Sequence, residues 1–577
     1  MNFKKKKLPP NRVAKWRFWA VVAVLLCVGA ALAARMVYLT VFDRPFLLAQ
    51  GNVRTLRVIN IPAYRGMITD RNGQALAIST PVDAIWVNPK ECHLSPSQIK
   101  TLAILLHLNP KDLNAHLQKN ADHEFLYLKR QVDPAVAQRV KVLHIPGVYL
   151  KGEFRRYYPE GEVDAQLVGF TNIDDRGESG LELSYDQWLH GVPGKERVLK
   201  DRLGHVVEDI DRIRQPAPGH DLVLSIDQRI QYSAYRALKE AVARNKADSG
   251  SIVVLDSRTG EVLAMANVPS FNPNNRMDYD PATYRNRAMT DTFEPGSTLK
   301  TFMAANAIAS GLYHPDSTVD TEPGYMFVNG WRVEDEHDNG VIDLTTIIQR
   351  SSNVGAAKIT LSLPPASLPT LLQLSGFGQR VTDDFPGEVP GNFQAHRIWS
   401  PIALSTLSFG YGIAVTTLQL AAAYQMFAND GLKCNISLLR TNGSPKCRLI
   451  VSKSVAQQVK QVLQSVVEKG GTAPAARIAN YHIAGKTGTA RILGPHGYES
   501  NHHNSLFVGM APATDPRIVI AIFIHDPRGK VYFGGDVAGP VFATVMSDAL
   551  RILNVPPDDL PIPVPDTPPA TTEVHHE

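Results

Sequence analysis

The sequence predicts an α+β protein held by an N-terminal transmembrane helix, with a turn-rich extended region leading to a domain built on a central five-stranded antiparallel sheet covered by helices. Three observations predict it. A charge-free apolar run follows a basic N-terminus. The stretch SIVVLDSRTGEVLAMA reads as a β-hairpin turning at Gly260, and three short strand-like runs, GKTGTAR, SLFVGMA and RIVIAIFI, come late in the chain. A hairpin and three late strands join into one sheet when the Ala-rich helical stretches between them pack on its faces.

Taken in order, the elements begin with residues 1–17, where Lys4, Lys5, Lys6, Lys7, Arg12, Lys15 and Arg17 stand without an acid. A basic run can serve nucleic acid, but the apolar run directly after it favours a membrane and no nucleic-acid partner. Residues 18–34, FWAVVAVLLCVGAALAA, carry no charge, and after Arg35 the apolar character resumes with MVYLTVF. The stretch 18–42 therefore meets the requirement of about 20 apolar residues for a span. With the basic residues ahead of it, residues 1–17 are expected as a cytoplasmic tail and the remainder of the chain across the membrane. A cleaved signal peptide, cut at Ala31-Leu32-Ala33, is the alternative, but the apolar core exceeds the roughly 7–15 residues of a signal sequence.

A chain of 577 residues with 44 % apolar and 20 % charged content is a folded protein of two to four domains. Residues 43–215 read as short extended runs between Gly/Pro turns, without a catalytic constellation. The PAPG at 216–219 punctuates the chain, and 216–555 forms the second region. In it, STLKTFMAANAIAS reads as a helix stopped by Gly311, and TTLQLAAAYQMFANDG repeats the grammar with a Thr cap and Gly431 as stop. The proline-rich stretch 556–577 is expected to be disordered. Four cysteines do not build a disulfide scaffold. Cys434 and Cys447 bracket a short polar excursion and are either a disulfide or two unrelated thiols.

EPGSTLK, residues 294–300, sets Ser297 three positions before Lys300. A serine after Pro-Gly is first of all a helix cap, and Ser97 with Lys100 repeats the spacing elsewhere. Farther along stand SSN at 351–353 and KTG at 486–488. The residue types suit nucleophilic catalysis. A serine hydroxyl needs a base within hydrogen-bond reach, and on a helix Lys300 shares a face with Ser297. Burial beside Leu299, Phe302 and Met303 is expected to lower its pKa. On an extended connection Ser351 and Asn353 would both face a cleft, one relaying a proton and one holding a substrate amide. Lys486 and Thr487 suit the carboxylate of a peptide end. Gly488, lacking a side chain, leaves room for a substrate backbone along the strand. The backbone N–H groups of Ser297 and Thr489 are the expected oxyanion hole.

Together the three motifs resemble the S-x-x-K, S-x-N, K-T-G set of penicillin-interacting serine acyltransferases. With RGMITDRNG (65–73), RRYYPEG (155–161), GESGLE (177–182), FNPNN (271–275), RNRAMTDTFEPGSTLK (285–300), SSNVGAAK (351–358), SFGYGIAVTTLQLA (408–421) and GGDVAGPVF (534–542), the chain is similar to class B penicillin-binding proteins. It is most similar to the division-specific peptidoglycan D,D-transpeptidases of Gram-negative bacteria, the penicillin-binding protein 3 type.

The resemblance implies a pedestal at 43–215, knit to a transpeptidase domain at 216–555 by Arg65, Gly66, Asp70 and Arg71. It implies acylation of Ser297 by peptidoglycan stem peptides on glycan strands, inhibition by β-lactams, and no cofactor. It also implies a bacterial inner-membrane protein with its catalytic domain in the periplasm, and as partners a membrane glycan polymerase and divisome proteins. A β-lactamase, a D,D-carboxypeptidase, a β-lactam sensor, a condition-specific paralogue and an inactive divisome scaffold are the rivals.

Gly485, the cysteine pair and GPHGYESNHHNS depart from the family pattern. His502 and His503 lack a carboxylate or cysteine at metal-ligand spacing, so no metal is expected. With His482, His496 and His525 they raise the expectation of acylation tuned by mild acid, against five exposed loop histidines.

Overall fold

Nothing between Lys15 and Phe42 offers a polar break strong enough to end a helix. α1 (Lys15–Val37) runs on through a π-helical turn, Tyr38–Phe42. The most apolar 18-residue window within these 28 residues has a mean hydropathy of 2.4, and none of that window is buried inside the protein. At 1.5 Å per residue the helix is about 40 Å long, enough to cross a bilayer. The structure, a computed structural model, describes residues 15–200, 206–275, 280–382, 385–394, 398–494 and 497–560. Most of the expected tails (1–14 and 561–577) and His496 lie outside the described residues.

Above α1, β1 (Leu56–Ile61) pairs antiparallel with a later strand of the same region in a three-stranded sheet. A second sheet contains β2 (Ile68–Thr69) and the long β3 (Ala75–Val87). Three helices then appear where extended runs were expected: α2 (Pro96–Leu106), α3 (Pro110–Lys119) and α4 (Pro134–Val142), with β4 (Leu126–Val132) between the last two. Each starts on a capping side chain followed by proline, Ser95-Pro96, Asn109-Pro110 and Asp133-Pro134, a start signal legible in the sequence and missed there. Ser97, the decoy serine, is an exposed residue in the first turn of α2, bonded to Ser95 Oγ. The helices cover β3, β4 and β5 (Val148–Tyr157) with a small core of their own around Leu102, Ala103 and Val140.

The first and second regions share the sheet of β2, which pairs in parallel with β6 (Leu222–Val223). Arg71 reaches Glu261 at 3.2 Å, and Asp70 accepts the Gln228 N–H, so these two do link the halves. Arg65 does not: its guanidinium is buried against Glu182, Asp186 and the Asp175 carbonyl, all within the first region.

The second region opens with α5 (Gln228–Arg244), then β7 (Ser249–Asp256) and β8 (Val262–Val268). The hairpin turns at Gly260 with φ +78°, where a side chain would strain the backbone. The late strands are β9 (Ala484–Gly494), β10 (Gly497–Ala511) and β11 (Ile518–His525). They join the hairpin as predicted, in the order β8-β7-β11-β10-β9, all antiparallel. Every residue of β7 is buried, because both faces are covered. A side chain at Gly250 would strike Leu238 and Val242 of α5, while the adjacent Ser251 bonds Thr417 at the start of a helix on the opposite face. That helix, Thr417–Ala428, is buried along its whole length and begins on a Thr416 capping box with Gln419. The sheet thus ends at β9, whose outer edge carries no neighbour among the described strands.

Candidate active site

The first sequence expectation, a serine opening an α-helix, is modified. Residues Gly296–Leu299 form a 3₁₀ turn, and the α-helix itself, α6, is Lys300–Ala309. In a 3₁₀ turn residues i and i+3 eclipse, which brings Lys300 Nζ to 3.1 Å from Ser297 Oγ. The turn is tied down from the core. Tyr424, on the buried helix α7 (Thr417–Ala428), donates its hydroxyl to the Thr298 carbonyl at 2.6 Å, and that hydroxyl also lies 2.7 Å from Thr301 Oγ1.

The second motif departs further. Residues 351–353 are not an extended connection but the junction of two helices, α8 (Leu344–Arg350) and α9 (Asn353–Ser362). Ser351 ends the first in the left-handed region at φ +62°, and Ser352 caps the second. The sharp turn, not strand alternation, sends Ser351 and Asn353 the same way. Lys300 Nζ donates to the Ser351 carbonyl at 2.5 Å and to Asn353 Oδ1 at 2.6 Å, and it lies 3.1 Å from Ser351 Oγ. Asn353 Nδ2 donates to the Glu334 carbonyl at 3.0 Å. Glu334 closes a hairpin, β12 (Tyr325–Val328) and β13 (Trp331–Glu334), joined by Asn329-Gly330, both at positive φ.

The third motif lies on the edge strand β9. Lys486 is fully buried; its Nζ is 3.1 Å from Ser351 Oγ and 3.3 Å from Thr487 Oγ1. Its amine is thus enclosed between Ser351 and Thr487, two residues that border the cleft, without itself being part of the exposed wall. Thr487 and Thr489 do line the cleft, a cavity of about 590 Å³ that Ser297, Ser351, Asn353 and Tyr411 also border. Gly488 serves a different neighbour from the one anticipated. A side chain there would come within 3.0 Å of the Pro295 carbonyl and of Thr298 Cγ2, so glycine lets the nucleophile's turn sit against β9. Ser297 is the second residue of its turn, where N–H groups find no acceptor inside the helix, and an edge strand turns alternate N–H groups outward.

Burial decides the electrostatics. Desolvation lowers Lys300 to about 7, partly opposed by the charges of Asp335 and Glu336. Lys486 is pushed well below the ordinary lysine value by burial and then by the like charge of Lys300. Serine, two buried amines and a second serine thus form one chain of contacts.

The penicillin-binding protein transpeptidase domain matches residues 250–547, and the penicillin-binding protein dimerisation domain matches 60–224.

The chain belongs to the penicillin-binding protein transpeptidases.

Among relatives of this penicillin-binding protein is the probable peptidoglycan D,D-transpeptidase PbpC of Pseudomonas aeruginosa, 43 % identical over 97 % of this chain and 99 % of that one. The peptidoglycan D,D-transpeptidase FtsI of Escherichia coli is 41 % identical over 94 % and 93 %. The crystal structure of penicillin-binding protein 3 from Mycobacterium tuberculosis, complexed with aztreonam, matches with a TM-score of 0.68 and 28 % identity over 87 % of this chain and 98 % of that one.

Asp335, Tyr424 and Thr472, which shares a hydrogen bond of 2.8 Å with Thr487, were not read from the sequence of this penicillin-binding protein. Their partners lie too far along the chain for any local pattern to mark them. Gly534 carried a signal, standing in GGDVAGPVF. Its N–H donates to Thr489 Oγ1 at 3.1 Å, and a side chain there would overlap the Leu506 and Gly488 carbonyls.

Cys434 and Cys447 are joined in a disulfide across a two-stranded ribbon, β14 (Leu432–Cys434) and β15 (Cys447–Leu449). His502, His503 and His525 lie on strands, not in loops. Asp526 raises His502, while burial lowers His503 and His525.

Proposed function

We propose that the protein is a peptidoglycan D,D-transpeptidase of the septal type, which cross-links stem peptides through an acyl-enzyme on Ser297. One observation carries this reading: the Lys300 amine touches Ser297, Ser351 and Asn353 at once. A neutral amine has two N–H groups and one lone pair. The Ser351 carbonyl and Asn353 Oδ1, its shortest partners, take the two N–H groups, which leaves the lone pair for a hydroxyl proton. Lys300, at about 7, is neutral in a large fraction at neutral pH.

Ser297 Oγ attacks the carbonyl of the penultimate D-Ala while its proton passes to Lys300. The developing oxyanion is held by the N–H groups of Ser297 and Thr489. Ser351, between the two amines, returns a proton to the leaving D-Ala nitrogen. An amine of a second stem then attacks the ester and forms the cross-link. Thr487 receives the terminal carboxylate, with the Lys486 amine in contact with its hydroxyl, and Asn353 orients the peptide amide. β-Lactams acylate the same serine.

We place catalysis in 216–555 and the pedestal in 43–215. The chain is then a single-pass inner-membrane protein with its N-terminus cytoplasmic and its catalytic domain periplasmic. A membrane glycan polymerase and divisome proteins are its partners through α1 and the pedestal. The test is intact mass of the full-length protein in detergent after benzylpenicillin, beside Ser297→Ala. A persistent one-drug adduct lost in the variant is expected. Rapid drug turnover without an adduct would make the protein a β-lactamase, and neither adduct nor turnover would leave a scaffold.

A further inference from the structure

Asp335 comes directly after β13 and leans over the 351–353 junction. Its Oδ1 accepts the N–H groups of Asn353 at 2.5 Å and Val354 at 3.0 Å. Its Oδ2 accepts the Ser352 hydroxyl at 2.6 Å and Asn339 Nδ2 at 3.2 Å. Ser352 Oγ in turn accepts the Gly355 N–H at 2.9 Å. Three of the four N–H groups that the start of α9 leaves open are therefore taken by one carboxylate and the hydroxyl it orients. The junction needs such a fastening, because a non-glycine residue in the left-handed region costs about 1–2 kcal/mol, and Ser351 stands there at φ +62°. Both short-range acceptors of Lys300, the Ser351 carbonyl and Asn353 Oδ1, come from this junction.

We propose that Asp335 is a positioning residue for acyl transfer: its carboxylate fastens the junction that holds the Lys300 amine, and its charge sets how readily that amine takes the proton of Ser297. The proposal rests on the reading of the cleft as a serine acyltransfer site. The groups facing Lys300 are few. Strand β9 supplies Lys486, the loop after β13 supplies Asp335 and Glu336, and Ser297, Ser351 and Asn353 complete the shell without charge. His337, Asp338 and Arg350 also border the cleft. Of the two acids, Asp335 acts more strongly on Lys300, and only Asp335 grips the junction.

The experiment is the rate of acylation by a fluorescent penicillin, measured from pH 5.5 to 9 on the full-length protein in detergent. Wild-type protein that is not acylated, or Ser297→Ala that still is, refutes the acyltransfer reading itself. Asp335→Asn keeps an oxygen for the amide N–H groups and removes the charge. A cationic Lys300 is then less stabilised, so the acidic limb of the profile moves to lower pH by about one pH unit, with a plateau lower by on the order of 10-fold. Ser352→Ala loosens the junction but leaves the charge, so the plateau falls on the order of 10-fold with the limb unmoved. A uniform loss across pH in Asp335→Asn overturns the charge role, and a wild-type rate in Ser352→Ala overturns the fastening. If Asp335→Asn fails to fold, Glu336→Gln decides the charge role: a shift of a full pH unit there assigns it to Glu336 and overturns the proposal, whereas a smaller shift upholds it.

Discussion

Lys300 must be neutral to take the proton of Ser297, and burial lowers it to about 7. Below that value the amine is protonated and cannot act as a base, so the acylation rate is expected to fall about tenfold per pH unit on the acid side and to level off above it. A stopped-flow pH profile of penicillin acylation checks this. A second prediction concerns Gly488. Alanine there meets the Pro295 carbonyl at 3.0 Å, an atom of rigid backbone, and displaces the nucleophile's turn. Acylation is expected to drop roughly 10- to 100-fold, because small misplacements are costly in catalysis, while stability falls by only about 1–3 kcal/mol. Ser297 and Lys300 were legible because three-residue spacing is a local property of helical backbone. The direction of Lys486 was not, because strand alternation says which face a side chain takes, not that it reaches a serine on a distant helix junction. Asp335 sits in EDEHDNG, an acidic run without a motif, and its value lies wholly in partners about twenty residues on.

At the scale of elements, the five-stranded sheet was legible because its strands are short apolar runs between strong turns, and the cap of α7 because Thr416 and Gln419 form a local box. The helices of the pedestal were missed because each is only 9 to 11 residues long and set between strands, although their Ser-Pro, Asn-Pro and Asp-Pro starts were in view. The shape of the 351–353 junction was also hidden, since a serine at positive φ runs against its own propensity and is imposed by tertiary contacts. The ribbon of β14 and β15 carries a testable element-scale property. Its disulfide closes a loop with a sequence separation of 13, which chain-entropy reasoning values at about 3 kcal/mol. Cys434→Ser with Cys447→Ser is expected to lower stability by about 2–3 kcal/mol in denaturant unfolding, with the penicillin adduct retained.

Across the whole molecule, the pedestal depends on one carboxylate between two guanidiniums. Glu182 accepts from Arg65 and Arg156, each at 2.7 Å, and the side chains of all three are at most 1 % exposed. Glu182→Gln takes from the buried Arg156 its ion-pair partner and leaves Arg65 with Asp186 alone, and a loss of about 3–5 kcal/mol is expected. Because β2 and β6 join the pedestal to the catalytic half, calorimetry of the variant should show the loss of penicillin binding moving to lower temperature together with the pedestal transition.

The hydroxyl of Tyr424 gives the molecule a property of a different kind. A residue with no access to the cleft holds the carbonyl one position beyond the nucleophile. Sensitivity to a β-lactam is therefore written partly in the hydrophobic interior, where no inhibitor makes contact. Populations grown under drug pressure are expected to yield substitutions on α7 as well as around the cleft. Tyr424→Phe, which keeps the ring and drops the hydroxyl, should already slow acylation by several-fold, at a stability cost of about 1 kcal/mol. Chemists who enlarge an inhibitor to gain contacts along the walls would leave that escape route untouched.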